Sequence, residues 1–185
     1  MPSQVRAPTV FLLFGANCTG KSEIGRALAA ELDRCAFIEM DELLNMVVRG
    51  LVGWSRGASP LEHPAEYSRQ CVLGQRNAVA LCREFAKDGF NSVVEGLGDE
   101  CRPDTSWIRD SFESLRVRTA ALVCDDEVLS ARLVSRGWKH DGFLRAAIDH
   151  SEWCRKNAEL FDCLLDTTST DPAAAARRLC EVLAP

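Results

Sequence analysis

The chain has 185 residues, of which 46% are hydrophobic and 26% charged. That balance is ordinary for a folded domain and excludes a disordered chain, a collagen-like repeat and a membrane bundle. Its net charge of −5 argues against a chain-wide electrostatic grip on nucleic acid, and its length predicts one domain over residues 1–185.

In chain order, the first predicted element is a fully buried strand, Thr9–Phe14. Its apolar run is closed by Gly15, far short of the roughly 20 residues needed to span a bilayer. No cleavage pattern of a secretory signal follows it, so a cytoplasmic location without membrane attachment is expected. An amphipathic helix over Lys21–Asp33 follows, with Ile24, Leu28 and Leu32 along one face. A short strand, Cys35–Glu39, leads into a helix over Glu42–Val52, and Gly53–Pro60 has the turn chemistry of an exposed loop. The longest helix is predicted over Ala65–Lys87, stopped by Asp88-Gly89. Then come the strand Asn91–Glu95, the loop Gly96–Asp104, a helix over Ser106–Leu115 and the apolar strand Val117–Cys124. A helix over Asp126–Arg136, a polar break at Gly137–Gly142, a helix over Phe143–Leu160, the strand Phe161–Asp166 and a helix over Asp171–Leu183 complete the pattern. Five strands separated by helices predict an α/β three-layer fold with a parallel sheet covered on both faces. Ligands in such folds bind beyond the carboxyl ends of the strands.

Nine cysteines are scattered at positions 18, 35, 71, 82, 101, 124, 154, 163 and 180, with no C-x-x-C pair among them. They read as small buried hydrophobes of a reducing compartment, with neither disulfides nor a zinc site expected. His150 and Cys154 have the spacing of two metal ligands on a helix but lack a second pair. Only four of 22 basic residues are lysine. A coding bias explains that asymmetry, and phosphate binding by some of the arginine forks is the alternative.

After the first strand stands Gly15-Ala16-Asn17-Cys18-Thr19-Gly20-Lys21-Ser22, a full match to G-x-x-x-x-G-K-[ST] in its strand–loop–helix setting. Glycines let such a loop turn its amides onto a polyphosphate, and the following helix adds the positive end of its dipole. Lys21 reaches the β- and γ-phosphates, and the Ser22 hydroxyl is a Mg²⁺ ligand. The predicted cofactors are therefore ATP and Mg²⁺. Their binding set is Gly15, Ala16, Asn17, Cys18, Thr19, Gly20, Lys21 and Ser22, extended to position 23, which carries Glu23. Because this cradle favours negative charge, the Cys18 thiol is expected to ionise more readily than a free cysteine; a side chain packed inert beneath the loop is the alternative.

The phosphate loop, the segments Phe37–Leu44, Gly89–Glu95 and Phe161–Thr168, and the arginine-bearing helix before the polar break resemble small-molecule kinases with a phosphate loop. The nearest resemblance is to chloramphenicol phosphotransferase-like kinases, beside the shikimate kinase-like branch. It implies a sheet ordered 2-3-1-4-5, ATP on the loop, an acceptor region at about 41–70 and a short lid at about 137–142. It also implies that Asp41 orients the acceptor hydroxyl or takes its proton; capping the helix at Glu42 is the alternative. By the same resemblance Arg132 lies near the adenine, and Arg136 belongs to the lid and acts on the transferring phosphoryl group; a solvated basic face of the helix is the alternative. The lid here holds Lys139 and His140 in place of an arginine pair. The predicted catalytic set is Asp41, Lys21 and Arg136.

Glu95, ending the third strand, is a candidate for a Mg²⁺-bound water or the acceptor, with Asp99 and Glu100 weaker. Arg69 and Arg76, seven apart on the long helix, either grip a substrate anion or sit on the outer surface. Met46, Val47, Leu51 and Trp54 either line an acceptor pocket or belong to the core. The loop Gly96-Leu97-Gly98 with its acidic neighbours favours a neutral, hydroxylated, partly apolar acceptor over a carboxylate. The reading is an ATP-dependent phosphotransferase acting on a hydroxyl of a small molecule, an antibiotic or secondary metabolite among them. Its rivals are a shikimate, gluconate or nucleoside monophosphate kinase and a non-enzymatic ATP-dependent switch. Homo-oligomerisation stays open.

Overall fold

The computed structural model describes residues 7–53, 57–96, 110–138 and 141–183. Five strands form one all-parallel sheet, β1 (Thr9–Phe14), β2 (Cys35–Glu39), β3 (Asn91–Glu95), β4 (Arg116–Val123) and β5 (Cys163–Asp166). The strand order is β2-β3-β1-β4-β5, as the kinase resemblance implies. β1 is central and buried throughout, with Leu12 facing Val94 of β3 and Thr119 of β4 across the ladder.

Alternation along β1 divides the core. Val10, Leu12 and Phe14 pack with Ile38, Ala78, Cys82 and Cys154 under α3 (Pro64–Lys87) and α5 (Asp141–Lys156). Phe11 and Leu13 pack with Ile24, Leu28, Ala175 and Leu179 under α1 (Lys21–Glu31) and α6 (Pro172–Leu183). A third cluster, Ala16, Cys124, Leu129, Leu133 and Ala147, joins the phosphate loop to α4 (Asp126–Ser135) and α5. No helix among the described residues is long and apolar enough to cross a membrane.

Three predicted elements change. The helix expected over Glu42–Val52 is only α2, Met40–Asn45, and it begins before Glu42. Beyond it the backbone bonds elsewhere. Gly50 takes φ +86, and Val52 makes an isolated parallel bridge to Ala58. The helix expected over Phe143–Leu160 is α5 followed by a separate turn of 3-10 helix at Ala158–Leu160. Of the helix predicted over 106–115, residues 110–115 are described, and only Asp110 and Ser111 are helical before a turn in which the Leu115 amide bonds the Phe112 oxygen at 2.7 Å. Residues 106–109 and most of the loop predicted over 96–104 lie outside the described residues, as do Trp54, Asp99, Glu100, Lys139 and His140.

Candidate active site

The connections after β1, β2 and β3 meet at one end of the sheet around a cleft of about 220 Å³. The loop after β1 forms its floor. Gly15 has φ +138, and a Cβ there would stand 2.3 Å from the Leu122 carbonyl oxygen, so a side chain is excluded where the loop leaves the sheet. The loop's carbonyls are then taken up in sequence. Lys21 Nζ donates to the Gly15 and Ala16 oxygens at 2.8 and 3.0 Å, and Thr19 Oγ1 donates to Ala16 at 2.8 Å. Arg132 Nη1 reaches the Cys18 oxygen at 3.5 Å, and the Ile24 amide bonds the Gly20 oxygen at 2.9 Å. A loop whose carbonyls are held this way presents its remaining amides as an anion nest at the start of α1.

Of the predicted binding set, Asn17, Cys18, Gly20, Lys21, Ser22 and Glu23 line the cleft. Gly15, Ala16 and Thr19 shape the loop from behind. Ala16 and Thr19 are fully buried, and the Thr19 hydroxyl is committed to the loop itself. Glu23, a carboxylate with nothing to donate to phosphate, forms an ion pair with Arg136 at 3.5 Å.

Asp41 is exposed in the first turn of α2 and lines the cleft with Lys21, Ser22 and Glu95. The capping alternative fails, because α2 starts at Met40 and its N-cap is Glu39. Glu95, at the buried end of β3, accepts a hydrogen bond from Ser22 Oγ at 3.3 Å. The hydroxyl predicted for Mg²⁺ and the strand-end carboxylate are thus neighbours across 73 residues of chain.

The two arginines of α4 separate in role. Arg136, at the C-cap, reaches the cleft. Arg132 is turned onto backbone, with Nη2 donating to Thr167 and Thr168 oxygens at 2.9 and 3.4 Å. Trp138 and Phe143 stack at 4.4 Å between ring centroids, flank the cleft and pack against the third core cluster together with Cys18. Burial there pushes the Cys18 thiol above its ordinary value, outweighing the opposing charges of Arg136, Lys21 and Arg132. The expectation of a readily ionised thiol is therefore corrected, since packing removes more water than three cations restore. Alkylation with iodoacetamide at pH 7.5 is expected to be slower at Cys18 than at the same residue in the unfolded chain, and to accelerate with pH. Peptide mapping after timed labelling checks this, and faster labelling in the folded protein would show the cations dominating.

The acceptor side of the cleft is built by α3 and the segment 51–53. Tyr67, Cys71 and Gln75 lie four residues apart along one stripe of α3 and face the cleft beside Leu44. Arg69 and Arg76 lie on the far side of that helix, because each residue advances about 100°. Both are exposed and absent from the lining, and Arg69 is paired with Glu66 at 2.9 Å. Of the two placements the sequence leaves open, the fold provides the outer surface. Leu51 does line the cleft, whereas Met46 is 74% exposed and Val47 is not part of the wall.

Sequence reasoning missed Gln70, which sets this wall. Its buried amide accepts from the Val52 N–H at 3.0 Å and donates to the Gly50 oxygen at 2.8 Å and to Glu66 Oε1 at 2.8 Å. Gly57 closes the same segment: at φ +88, a Cβ there would lie 2.3 Å from the Leu51 oxygen. The glycines at 50, 53 and 57 were the available signal that no helix continues here.

Solved structures share this architecture. The tunicamycin resistance protein of Deinococcus radiodurans superposes with a TM-score of 0.67 at 20% identity, over 97% of this chain and 96% of that one. Shikimate kinase from Bacteroides thetaiotaomicron gives 0.65 at 20% identity, over 95% and 98%. A sugar kinase from Janibacter sp. HTCC2649 gives 0.61 at 16% identity, over 96% and 95%. These likenesses establish the fold. No curated protein matches the chain in sequence. The model of the family described as chloramphenicol phosphotransferase-like protein matches residues 8–184, nearly the whole chain, and with the phosphate loop, Asp41 and Arg136 meeting in one cleft the protein belongs to that family.

Proposed function

We propose that the protein is an ATP-dependent phosphotransferase that moves the γ-phosphoryl group to a hydroxyl of a small, uncharged molecule. The observation carrying this reading is that the phosphate loop, Asp41 and Glu95 line one cleft at the ends of β1, β2 and β3. The acceptor oxygen attacks the γ-phosphorus, its proton passes to Asp41, and the β–γ bridging oxygen leaves with ADP. Lys21 neutralises phosphate oxygens within the nest, and Arg136 meets the charge of the transferring group. Arg136 is available to do so once phosphate replaces Glu23 as its counter-charge. The adjacent Ser22 hydroxyl and Glu95 carboxylate fit Mg²⁺, which takes few protein ligands and completes its shell with water and phosphate. Bound there, the ion supplies charge neutralisation between the phosphates.

The acceptor region corresponds to about 41–70, extended along α3 to Cys71 and Gln75, with the lid at about 137–142. Tyr67, Cys71, Gln75, Leu51 and Val52 offer apolar surface and neutral hydrogen-bonding groups. The cations lining the cleft among the described residues, Lys21 and Arg136, stand on the phosphate side. This favours a neutral hydroxylated antibiotic or secondary metabolite over the anionic acceptors of the metabolite-kinase reading.

Transfer of label from γ-labelled ATP across a panel of neutral and anionic hydroxylated compounds tests this. Phosphorylation of neutral members is expected. Turnover confined to carboxylate- or phosphate-bearing members would overturn the acceptor class. Nucleotide binding with no transfer to any member would favour the switch.

A further inference from the structure

We propose that Thr167, in the connection between β5 and α6, is a positioning residue that holds the phosphate loop in its anion-binding shape. The inference rests on the proposed function, because it assumes that the loop binds nucleotide phosphates. Thr167 is 2% exposed, and its Oγ1 lies 2.9 Å from the Thr19 oxygen and 3.1 Å from the Val123 oxygen. Val123 already accepts the amide of Thr167 itself at 2.7 Å. A hydroxyl has one proton to donate, so its added value lies at Thr19. That carbonyl stands one residue before Gly20, whose oxygen takes the first bond of α1.

The neighbouring residue explains why the bond matters. Cys18 has φ +67, a left-handed conformation that residues with a Cβ adopt only under constraint from their surroundings. Its carbonyl accepts from Arg132, and that guanidinium is itself seated on the carbonyls of Thr167 and Thr168. Two consecutive peptide groups of the loop are thus pinned, the one after Cys18 by Arg132, 114 residues away, and the one after Thr19 by Thr167, 148 residues away. Without the Thr167 hydroxyl the Thr19 carbonyl loses a buried donor, and the strained Cys18 backbone is free to relax out of the nest geometry.

Calorimetric titration with Mg·ADP tests the proposal without knowledge of the acceptor. Thr167→Val keeps the shape and removes the donor, and is expected to weaken binding about ten-fold, the scale of one buried unsatisfied carbonyl. Thr167→Ser keeps the hydroxyl and is expected to bind within about three-fold of the parent protein. Adding Cys18→Gly to Thr167→Val should restore most of the lost affinity, because glycine holds a positive φ without the steric penalty. Thr167→Val binding like the parent, Thr167→Ser failing as badly as Thr167→Val, or a deficit untouched by Cys18→Gly would each overturn the proposal. Should Thr167→Val not fold, Thr167→Ala takes its place, read against Thr167→Ser; unweakened binding or no rescue by Cys18→Gly again overturns it. Failure of the parent protein to bind Mg·ADP would remove the proposed function and this inference together. Normal parent binding with an unaffected variant removes this inference alone.

Discussion

Lys21→Ala is expected to lower phosphoryl transfer by at least ~10²–10³-fold, the range for removing one preorganised electrostatic contact to a transition state. The fold is expected to survive. Lys21 Nζ bonds the carbonyls of Gly15 and Ala16, and Ala16 keeps the donors of Thr19 when the lysine is gone. The loss at Gly15 is that of roughly one hydrogen bond, about 1 kcal/mol. Those same bonds sharpen the prediction. A phosphate must draw the ammonium away from two carbonyls, so it has to offer a stronger, charge-assisted partner. Single-turnover transfer from labelled ATP, alongside thermal unfolding of both proteins, measures the two effects separately. A folded variant with unchanged turnover would remove the phosphate role of this loop.

Asp41→Asn is expected to slow transfer by roughly 10²–10⁴-fold, the usual contribution of a positioned general base, with Mg·ATP affinity unchanged. The separation follows from geometry. Asp41 enters the cleft from α2 after β2, whereas the loop's carbonyls are held by Lys21, Thr19, Arg132 and Thr167. Replacing its carboxylate with an amide leaves that scaffold in place and removes the proposed proton acceptor. Equilibrium nucleotide binding and transfer rate, measured on the same preparation, decide the matter. A collapse in ATP affinity with normal transfer per bound ATP would make Asp41 a nucleotide ligand instead.

What the sequence revealed follows the range of the interactions. The phosphate loop was legible because its glycines, Lys21 and Ser22 act within eight residues of one another, between an apolar strand and an amphipathic helix. β1 and the second half of β4 were legible because burial on both faces demands a continuous apolar run, and the edge strands β2 and β5, only partly buried, were legible as short apolar segments between helices. The segment after α2 misled because Leu43, Leu44, Val47 and Leu51 have helical spacing. In the fold, Gln70 takes the Gly50 carbonyl and the Val52 amide, groups a helix would need for itself, from 20 and 18 positions away. No local pattern announces such a partner. Arg69 and Arg76 were decidable in principle, since the helical phase placing Tyr67, Cys71 and Gln75 together puts both arginines opposite. The Cys18 thiol was not decidable. Its ionisation turns on burial in the cluster joining loop, α4 and α5, and the sequence displays the cations but not the packing.

The Gln70 anchor has a consequence for how the wall of this cleft can be reshaped. Toward the wall segment its amide touches only main-chain atoms, the Gly50 oxygen and the Val52 N–H, so the attachment is indifferent to which side chains residues 51 and 52 carry. Exchanging Leu51 or Val52 for apolar side chains of other sizes would recontour the cleft without removing the tether, at the repacking cost of a buried side chain. The wall is thus fastened to α3 through its backbone, and its contour is set separately, by the side chains at positions 51 and 52.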